Sequence, residues 1–189
     1  IDNRVRKKTS CPYCSGKLPI LGETDLKTLF PDIASQADGW DPTKYVFASN
    51  ATRSWICEIG HPFTQMICNR TLKNEGCPYC DGKEPLLGFN TVFDYSPRIA
   101  SEADGWDPKK VVRGHSSLKP WKCERGHKWS ATPSSRIRND SKCEWCQGRK
   151  PIIGETDLKT LYPKIASEAD GWDATKYTGK SSKPMNWKC

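Results

Sequence analysis

The sequence predicts a tandem series of small, metal-stabilised α+β repeats, in which β-hairpin knuckles alternate with short helical connectors. Three observations lead to this fold class. Only 35% of the 189 residues are hydrophobic and 28% are charged, so each repeat can bury little apolar surface. The ten cysteines offer another source of stability, because small domains rely on disulfides or metal ions. Finally, a Cys-x-x-Cys pair occurs three times at a constant spacing of 66 residues, at Cys11–Cys14, Cys77–Cys80 and Cys143–Cys146.

Each connector is predicted to contain two short helices. Thr24, Asn90 and Thr156 occupy equivalent positions, and all three residue types can cap a helix N-terminus. A proline seven residues later favours the first turn of a second helix, and a glycine then suits the left-handed position at its end. These residues are Pro31, Pro97 and Pro163, and Gly39, Gly105 and Gly171. The tryptophan after each glycine is expected to plug the helical pair.

The segments between connectors are predicted to form β-hairpins. Residues 121–123 and 127–132 alternate apolar and polar side chains on either side of a turn at Gly126. Phe63 and Trp129 are equivalent, and we expect both to support the core rather than to stack on bases. We call residues 55–80 and 121–146 the first and second zinc halves, because each contains the cysteines and the histidine of one predicted metal site. The connectors are residues 15–54, 81–120 and 147–186.

Cysteine and histidine recur at metal-ligand spacing in both halves. Zinc prefers four such ligands in a tetrahedron, and a site with no position left for water is structural rather than catalytic. The predicted complete sites are Cys57, His61, Cys77 and Cys80, and Cys123, His127, Cys143 and Cys146. Cys11 and Cys14 would belong to one partial site and Cys189 to another. A disulfide framework is the alternative, but it leaves the repeated histidines without a role.

The repeat also distinguishes the cysteines and histidines that are expected to bind metal from those that are not. Cys68 is equivalent to Ser134, and His115 is equivalent to Ser49 and Ser181, so neither is expected to bind metal. The predicted domains are the end of one zinc repeat at 1–14, complete repeats at 15–80 and 81–146, and a connector with the start of another repeat at 147–189. We therefore expect the chain to be a piece of a longer array.

Charge is distributed unevenly along the chain, whose net charge is +8. Residues 15–42 carry −3 and residues 81–108 carry −4, whereas residues 109–150 carry +9 and residues 43–80 only +2. A basic knuckle surface is typical of phosphate binding. The candidate contacts are Arg70, Lys122, Arg125, Lys128, Arg136, Arg138 and Lys142. For Arg70 and Arg136, an equal alternative is that they cover the tryptophan or hold a backbone carbonyl.

The combined motif resembles the zinc-ribbon repeats, treble-clef-like in some descriptions, of bacterial and phage proteins. The resemblance rests on Trp121-x-Cys123-x-x-Gly126-His127-x-Trp129, then Arg136, then Cys143-x-x-Cys146, and on the matching residues of the first half. It implies nucleic-acid binding, in some members beside a restriction-type nuclease. Cys143-Glu144-Trp145-Cys146 departs from the pattern by lacking proline. Because Asp81–Pro85 do not favour a helix after Cys80, we prefer a ribbon-like pair of knuckles to a treble clef.

Three functions remain open at this point. The first is a non-enzymatic module that binds nucleic acid, expected to be DNA rather than RNA, as the targeting part of a larger protein. The second is a zinc-stapled structural or protein-interaction array, with self-association or a protein partner. The third is a nuclease, for which no histidine or acidic pair remains beside the zinc ligands. Zinc indicates a reducing, cytoplasmic setting. No apolar run could span a membrane, and Ile1–Ser10 do not form a signal peptide.

Overall fold

The computed structural model describes residues 11–189. These form two compact units, of which one ends at Glu84 and the other begins at Pro85. Ile1–Ser10, and with them most of the predicted domain 1–14, lie outside the described residues. None of the helices in the described part is long and apolar enough to cross a membrane.

Short helices and two-stranded hairpins alternate along the chain as the repeat predicts. The first unit contains α1 (Leu26–Leu29), α2 (Pro31–Ala34), a 3-10 turn (Pro42–Lys44), β1 (Thr52–Ile56), β2 (Pro62–Met66) and α3 (Ile67–Leu72). The second unit contains α4 (Val92–Tyr95), α5 (Pro97–Ala100), a 3-10 turn (Pro108–Lys110), β3 (Lys119–Lys122), β4 (Lys128–Ala131), α6 (Pro133–Arg138), α7 (Leu158–Leu161), α8 (Pro163–Ser167) and a 3-10 turn (Ala174–Lys176).

The two predicted connector helices are present, but their caps lie one residue later than expected. The side chains of Asp25, Thr91 and Asp157, rather than the residues before them, accept the capping hydrogen bonds of α1, α4 and α7. Thr24 instead accepts a hydrogen bond from the backbone of Ile20, so it closes the preceding turn. The prolines do begin the second helices. The glycines at 39, 105 and 171 do not end them as expected, because these helices stop at Ala34, Ala100 and Ser167; the glycines lie in the following turn, with positive φ angles of 73°, 79° and 74°.

Each zinc half packs onto the connector that precedes it through one tryptophan. Trp55 and Trp121 are 0% exposed, and each donates its indole N–H to a backbone carbonyl of the partner strand. The connector tryptophan lies edge-on against the buried ring, with centroids 4.9 Å apart in both repeats. The equivalent Trp187 is 46% exposed, and no second strand pairs with it in the described part of the chain. The hairpin and the helix that follows it therefore complete the burial of this tryptophan.

The hairpins are antiparallel, with Trp55 opposite Phe63 and Trp121 opposite Trp129. Phe63 is 6% exposed and belongs to the first core cluster, and Trp129 packs against the second, as expected of core supports. Helices α3 and α6 were not expected. Each follows its hairpin directly and brings an arginine back over the buried tryptophan.

Candidate metal centres and basic surface

The two knuckles of the first zinc half bring four ligand atoms together. Gly60, with a φ of 91°, turns the chain between Cys57 and His61, and the backbone N–H of His61 points at the sulfur of Cys57 at 3.4 Å. The second knuckle carries Cys77 and Cys80 and closes with a backbone hydrogen bond from Asp81 to Cys77. The four ligand atoms lie within 4.8 Å of one another.

The spacing of these atoms fits a zinc tetrahedron. Bond lengths of about 2.3 Å to sulfur and about 2.0 Å to nitrogen place two sulfurs about 3.8 Å apart, and a nitrogen and a sulfur about 3.5 Å apart. The sulfurs of Cys57 and Cys80 are 3.8 Å apart. Nδ1 of His61 lies 3.3 Å from the sulfur of Cys80 and 3.9 Å from that of Cys77. Nδ1 is therefore the ligating nitrogen of this histidine.

The second zinc half repeats this geometry closely. The sulfurs of Cys123 and Cys146 are 3.8 Å apart. Nδ1 of His127 lies 3.4, 3.5 and 3.4 Å from the sulfurs of Cys123, Cys143 and Cys146. Both predicted sets of four ligands are confirmed, and each fits one structural zinc ion with no ligand position left over.

The thiols in these clusters resist losing all their protons unless a cation is bound. Desolvation acts to raise the pKa of Cys57, but N–H groups of His61 and Ile59 donate to its sulfur and lower the pKa overall. Desolvation, together with hydrogen bonds that the Cys80 thiol donates to the sulfurs of Cys77 and Cys57, raises the pKa of Cys80 to about 12. The same causes raise the pKa of Cys146 to about 11. Zinc would hold the three sulfurs of each site as thiolates and release their protons.

The family model described as a probable treble clef zinc finger domain matches residues 35–83 and 100–149, together more than half of the chain. The chain belongs to this zinc finger family. No curated protein shows a significant match to it.

The family is described as a probable treble clef, a name that the sequence alone did not favour, and the predicted α+β repeats with two-stranded hairpins are confirmed. In each zinc finger repeat, a helix lies between the hairpin and the second ligand pair, at α3 and α6. As expected, no helix in the described residues begins directly after Cys80, because a turn with Gly82 at a φ of 66° follows it.

Arg70 and Arg136 are buried, which corrects their prediction as phosphate contacts. Their exposed fractions are 5% and 1%. The guanidinium carbon of Arg136 lies 4.5 Å from the ring centroid of Trp121 and 5.0 Å from that of Trp129. Arg70 lies 5.0 Å from the ring of Trp55 and 5.2 Å from that of Phe63. These arginines cover the aromatic core of the zinc finger, which is the alternative that the sequence left open.

Each buried arginine has a partner that was not predicted from the sequence. Nη2 of Arg70 donates to the side-chain oxygen of Gln36 at 2.6 Å, and Nη2 of Arg136 forms an ion pair with Glu102. Both partners precede their arginine by 34 residues, and this constant offset within the repeat could have revealed them. Arg98, 3.7 Å from Glu102, is also paired with Asp140 at the surface.

The other five basic candidates are exposed. They are Lys122, Arg125, Lys128, Arg138 and Lys142. Lys128 lies 3.2 Å from a carboxylate oxygen of Asp104, so part of its charge is balanced. The remaining four form no ion pair among the described residues.

The cysteines outside the two complete sites differ in their surroundings. Cys11 and Cys14 are close enough for a side-chain hydrogen bond, which raises the pKa of Cys14, and Cys189 is exposed. No complete ligand set forms around these three within residues 11–189. The thiol of Cys68 donates to the side chain of Asn50 at 3.3 Å, and neither Cys68 nor His115 belongs to a metal cluster, as expected.

Proposed function

We propose that this chain is a non-enzymatic zinc finger module that binds nucleic acid, with DNA as the expected polymer, through the exposed basic side chains of its second zinc half. The observation that carries the proposal is the exposure of Lys122, Arg125, Arg138 and Lys142 on a small domain built around one complete set of zinc ligands. Clustered exposed cations attract the phosphate backbone and release its counterions on binding.

The first zinc half lacks these four cations, and this difference supports the proposal. The residues equivalent to these four cations are Ile56, Ile59, Leu72 and Gly76. The two halves share the same ligands, the same hairpin and the same buried arginine, so the fold does not require the cations. Their presence in only one half is consistent with a separate role at the surface.

The metal sites support a structural rather than a catalytic role for zinc. Each has three cysteines and one histidine at tetrahedral spacing, which leaves no coordination position for a substrate or a reactive water. We therefore place the function in the surface of the module and not in the chemistry of its metal.

The test is a fluorescence-anisotropy titration of the zinc-loaded chain with duplex DNA and with duplex RNA at several salt concentrations. The variant carries four substitutions that copy the first half: Lys122→Ile, Arg125→Ile, Arg138→Leu and Lys142→Gly. We expect its log Kd to depend less steeply on log salt, with the slope reduced by about one for each phosphate that the variant no longer neutralises.

A matched control removes four exposed lysines from the other unit, by replacing Lys17, Lys27, Lys44 and Lys73 with alanine. The control should keep most of the affinity and the salt slope. Equal losses in both variants would mean that only net charge matters. Absence of binding by the wild-type chain at low salt would contradict the proposal.

One observation favours a second candidate, in which the first zinc half contacts a protein. Ile56, Ile59 and Leu72 are 42%, 65% and 60% exposed at positions that are basic in the second half. Analytical ultracentrifugation of the wild type and of an Ile59→Arg/Leu72→Arg variant tests this candidate. Self-association that disappears in the variant would support it.

A further inference from the structure

A groove of about 310 Å³ lies between the second zinc half and the third connector. Arg125 and Trp145 line it from the zinc half, and Gln147, Tyr162 and Lys180 line it from the connector. All of these residues belong to the unit that begins at Pro85. The zinc site fixes the first wall, because Trp145 stands between two ligands and stacks on the imidazole of His127 with centroids 5.8 Å apart.

A glycine leaves space in the wall of the groove that the connector forms. A Cβ at Gly179 would lie 2.8 Å from a ring carbon of Tyr162, so a larger residue would displace the ring. In the first connector the equivalent of Gly179 is Phe47, whose ring packs against Phe30, the equivalent of Tyr162, with centroids 5.7 Å apart. Without such a cover, the side chain of Tyr162 is 48% exposed.

The groove is positively charged. The ammonium group of Lys180 donates to the backbone carbonyl of Gln147 at 3.3 Å, which holds it at the junction of the two walls. Arg125 is exposed on the zinc side. Lys150 also lies 4.8 Å from the ring centroid of Trp145, but its charge is balanced by an ion pair with Glu144 at 2.7 Å, so Arg125 and Lys180 supply the charge of the groove. None of the described residues that line the groove is acidic.

We propose that this groove binds an unpaired base of single-stranded nucleic acid, with the base against Tyr162 and its phosphate between Arg125 and Lys180. The inference rests on the proposed function and deepens it. Aromatic rings beside cations are the usual platform for single strands, because every base has a face to stack and every linkage carries a charge. A volume near the lower end of ligand sites, about 300 Å³, suits one base.

The groove continues the basic surface of the second zinc half. Arg125 and Cys146 also line a second depression, together with Arg98 and Lys142. A phosphate backbone that follows Lys142 and Arg125 would therefore reach the groove. Glu102 and Glu124 also line that depression, and Glu102 is paired with Arg136. An acidic peptide could satisfy the same cations, but it would leave the exposed ring of Tyr162 without a flat partner.

The chain supplies its own substitutions for a test. At the equivalent positions of the second connector, Tyr162 is replaced by Ser96 and Lys180 by Gly114. A Tyr162→Ser/Lys180→Gly variant therefore uses residues that this repeat already accommodates, and serine can cap the helix that follows. The control is Lys183→Ser, which removes one exposed lysine of the same connector outside the groove.

The experiment compares the zinc-loaded chains for binding to a fluorescein-labelled oligothymidylate and to a blunt DNA hairpin with the same number of phosphates. We expect the double variant to bind the oligothymidylate roughly tenfold more weakly, as loss of one stacked base and one phosphate contact implies. Its affinity for the hairpin should match that of the Lys183→Ser control, since each loses one charge.

A second measurement keeps the proposal testable if the double variant loses zinc. Ultraviolet cross-linking of the wild type to an oligomer containing 4-thiothymidine, followed by mass spectrometry, should place the adduct on Tyr162 or Trp145. The same chains are also titrated with polyglutamate, which stands for an acidic peptide. Equal losses for single strand and hairpin, adducts confined to other segments, or a variant that loses only its binding to polyglutamate would each overturn the proposal. If the wild type binds the hairpin but not the single strand, the groove proposal fails while the proposed function stands.

Discussion

Replacing Arg136 with alanine should destabilise the second zinc finger without removing a nucleic-acid contact. The side chain is 1% exposed and covers Trp121 and Trp129, and a desolvated contact between a cation and an aromatic ring is worth about 2 kcal/mol. Removing one partner of a buried ion pair costs about 3–5 kcal/mol in all, because the other charge is left behind. Arg98 remains 3.7 Å from Glu102, so we expect about 3–4 kcal/mol.

The assay is hydrogen exchange of the backbone amides of β3 and β4 in the zinc-loaded chain, because a chain of two units need not unfold in one transition. Arg138→Ala is the matched control, since that side chain is exposed on the same helix and its loss should change stability by less than about 0.5 kcal/mol. Adding Glu102→Gln, the residue of the first repeat, should recover part of the loss. Unchanged exchange in Arg136→Ala together with weaker DNA binding would refute the structural role of this arginine.

Further outcomes follow from the ligands and caps. Removing zinc with a chelator should unfold the hairpins. Cys80→Ser should reduce the zinc bound by the two complete sites from two ions to one, as read by atomic absorption. The control Cys68→Ser should still bind two ions at these sites. Zinc affinity should fall as pH falls, because protons compete with zinc for the sulfurs of thiols such as Cys80, whose pKa is about 12 without metal. A Kd for zinc that does not change with pH would contradict this prediction. A hydrogen bond from Thr28 lowers the pKa of Asp25. The contribution of the Asp25 carboxylate to folding stability is therefore present above the ordinary aspartate pKa and is lost as pH falls through the lowered pKa. At pH 7, with zinc bound, Asp25→Ala should therefore destabilise the first unit, as read by hydrogen exchange of β1 and β2, whereas Asp25→Thr, as in Thr91, should keep most of the stability.

The repeat made the metal sites predictable from sequence. Spacing alone identified both sets of four ligands, because cysteine and histidine in knuckles must converge on one ion whatever lies between them. The same spacing excluded Cys68 and His115, since neither recurs. The helix caps were placed one residue early because Thr24 and Asp25 are both good capping residues, and only the backbone geometry decides which side chain faces the helix.

The burial of the arginines could not be read from composition. An arginine that recurs once per repeat suits a phosphate contact and a cover over tryptophan equally well. The choice depends on α3 and α6, which are six residues long and too short to show a helical period. These helices turn Arg70 and Arg136 inward and leave Arg138 exposed, so one basic cluster in the sequence becomes two groups with different roles.

The most direct test of the proposed surface is chemical-shift mapping of the zinc-loaded, ¹⁵N-labelled chain during titration with a short DNA duplex. The largest changes should occur at the backbone amides of Lys122, Arg125, Arg138 and Lys142 and their neighbours. The amides of Arg70 and of the first hairpin should change little. Changes concentrated in residues 43–80, or no changes at low salt, would contradict the assignment of nucleic-acid binding to the second zinc half.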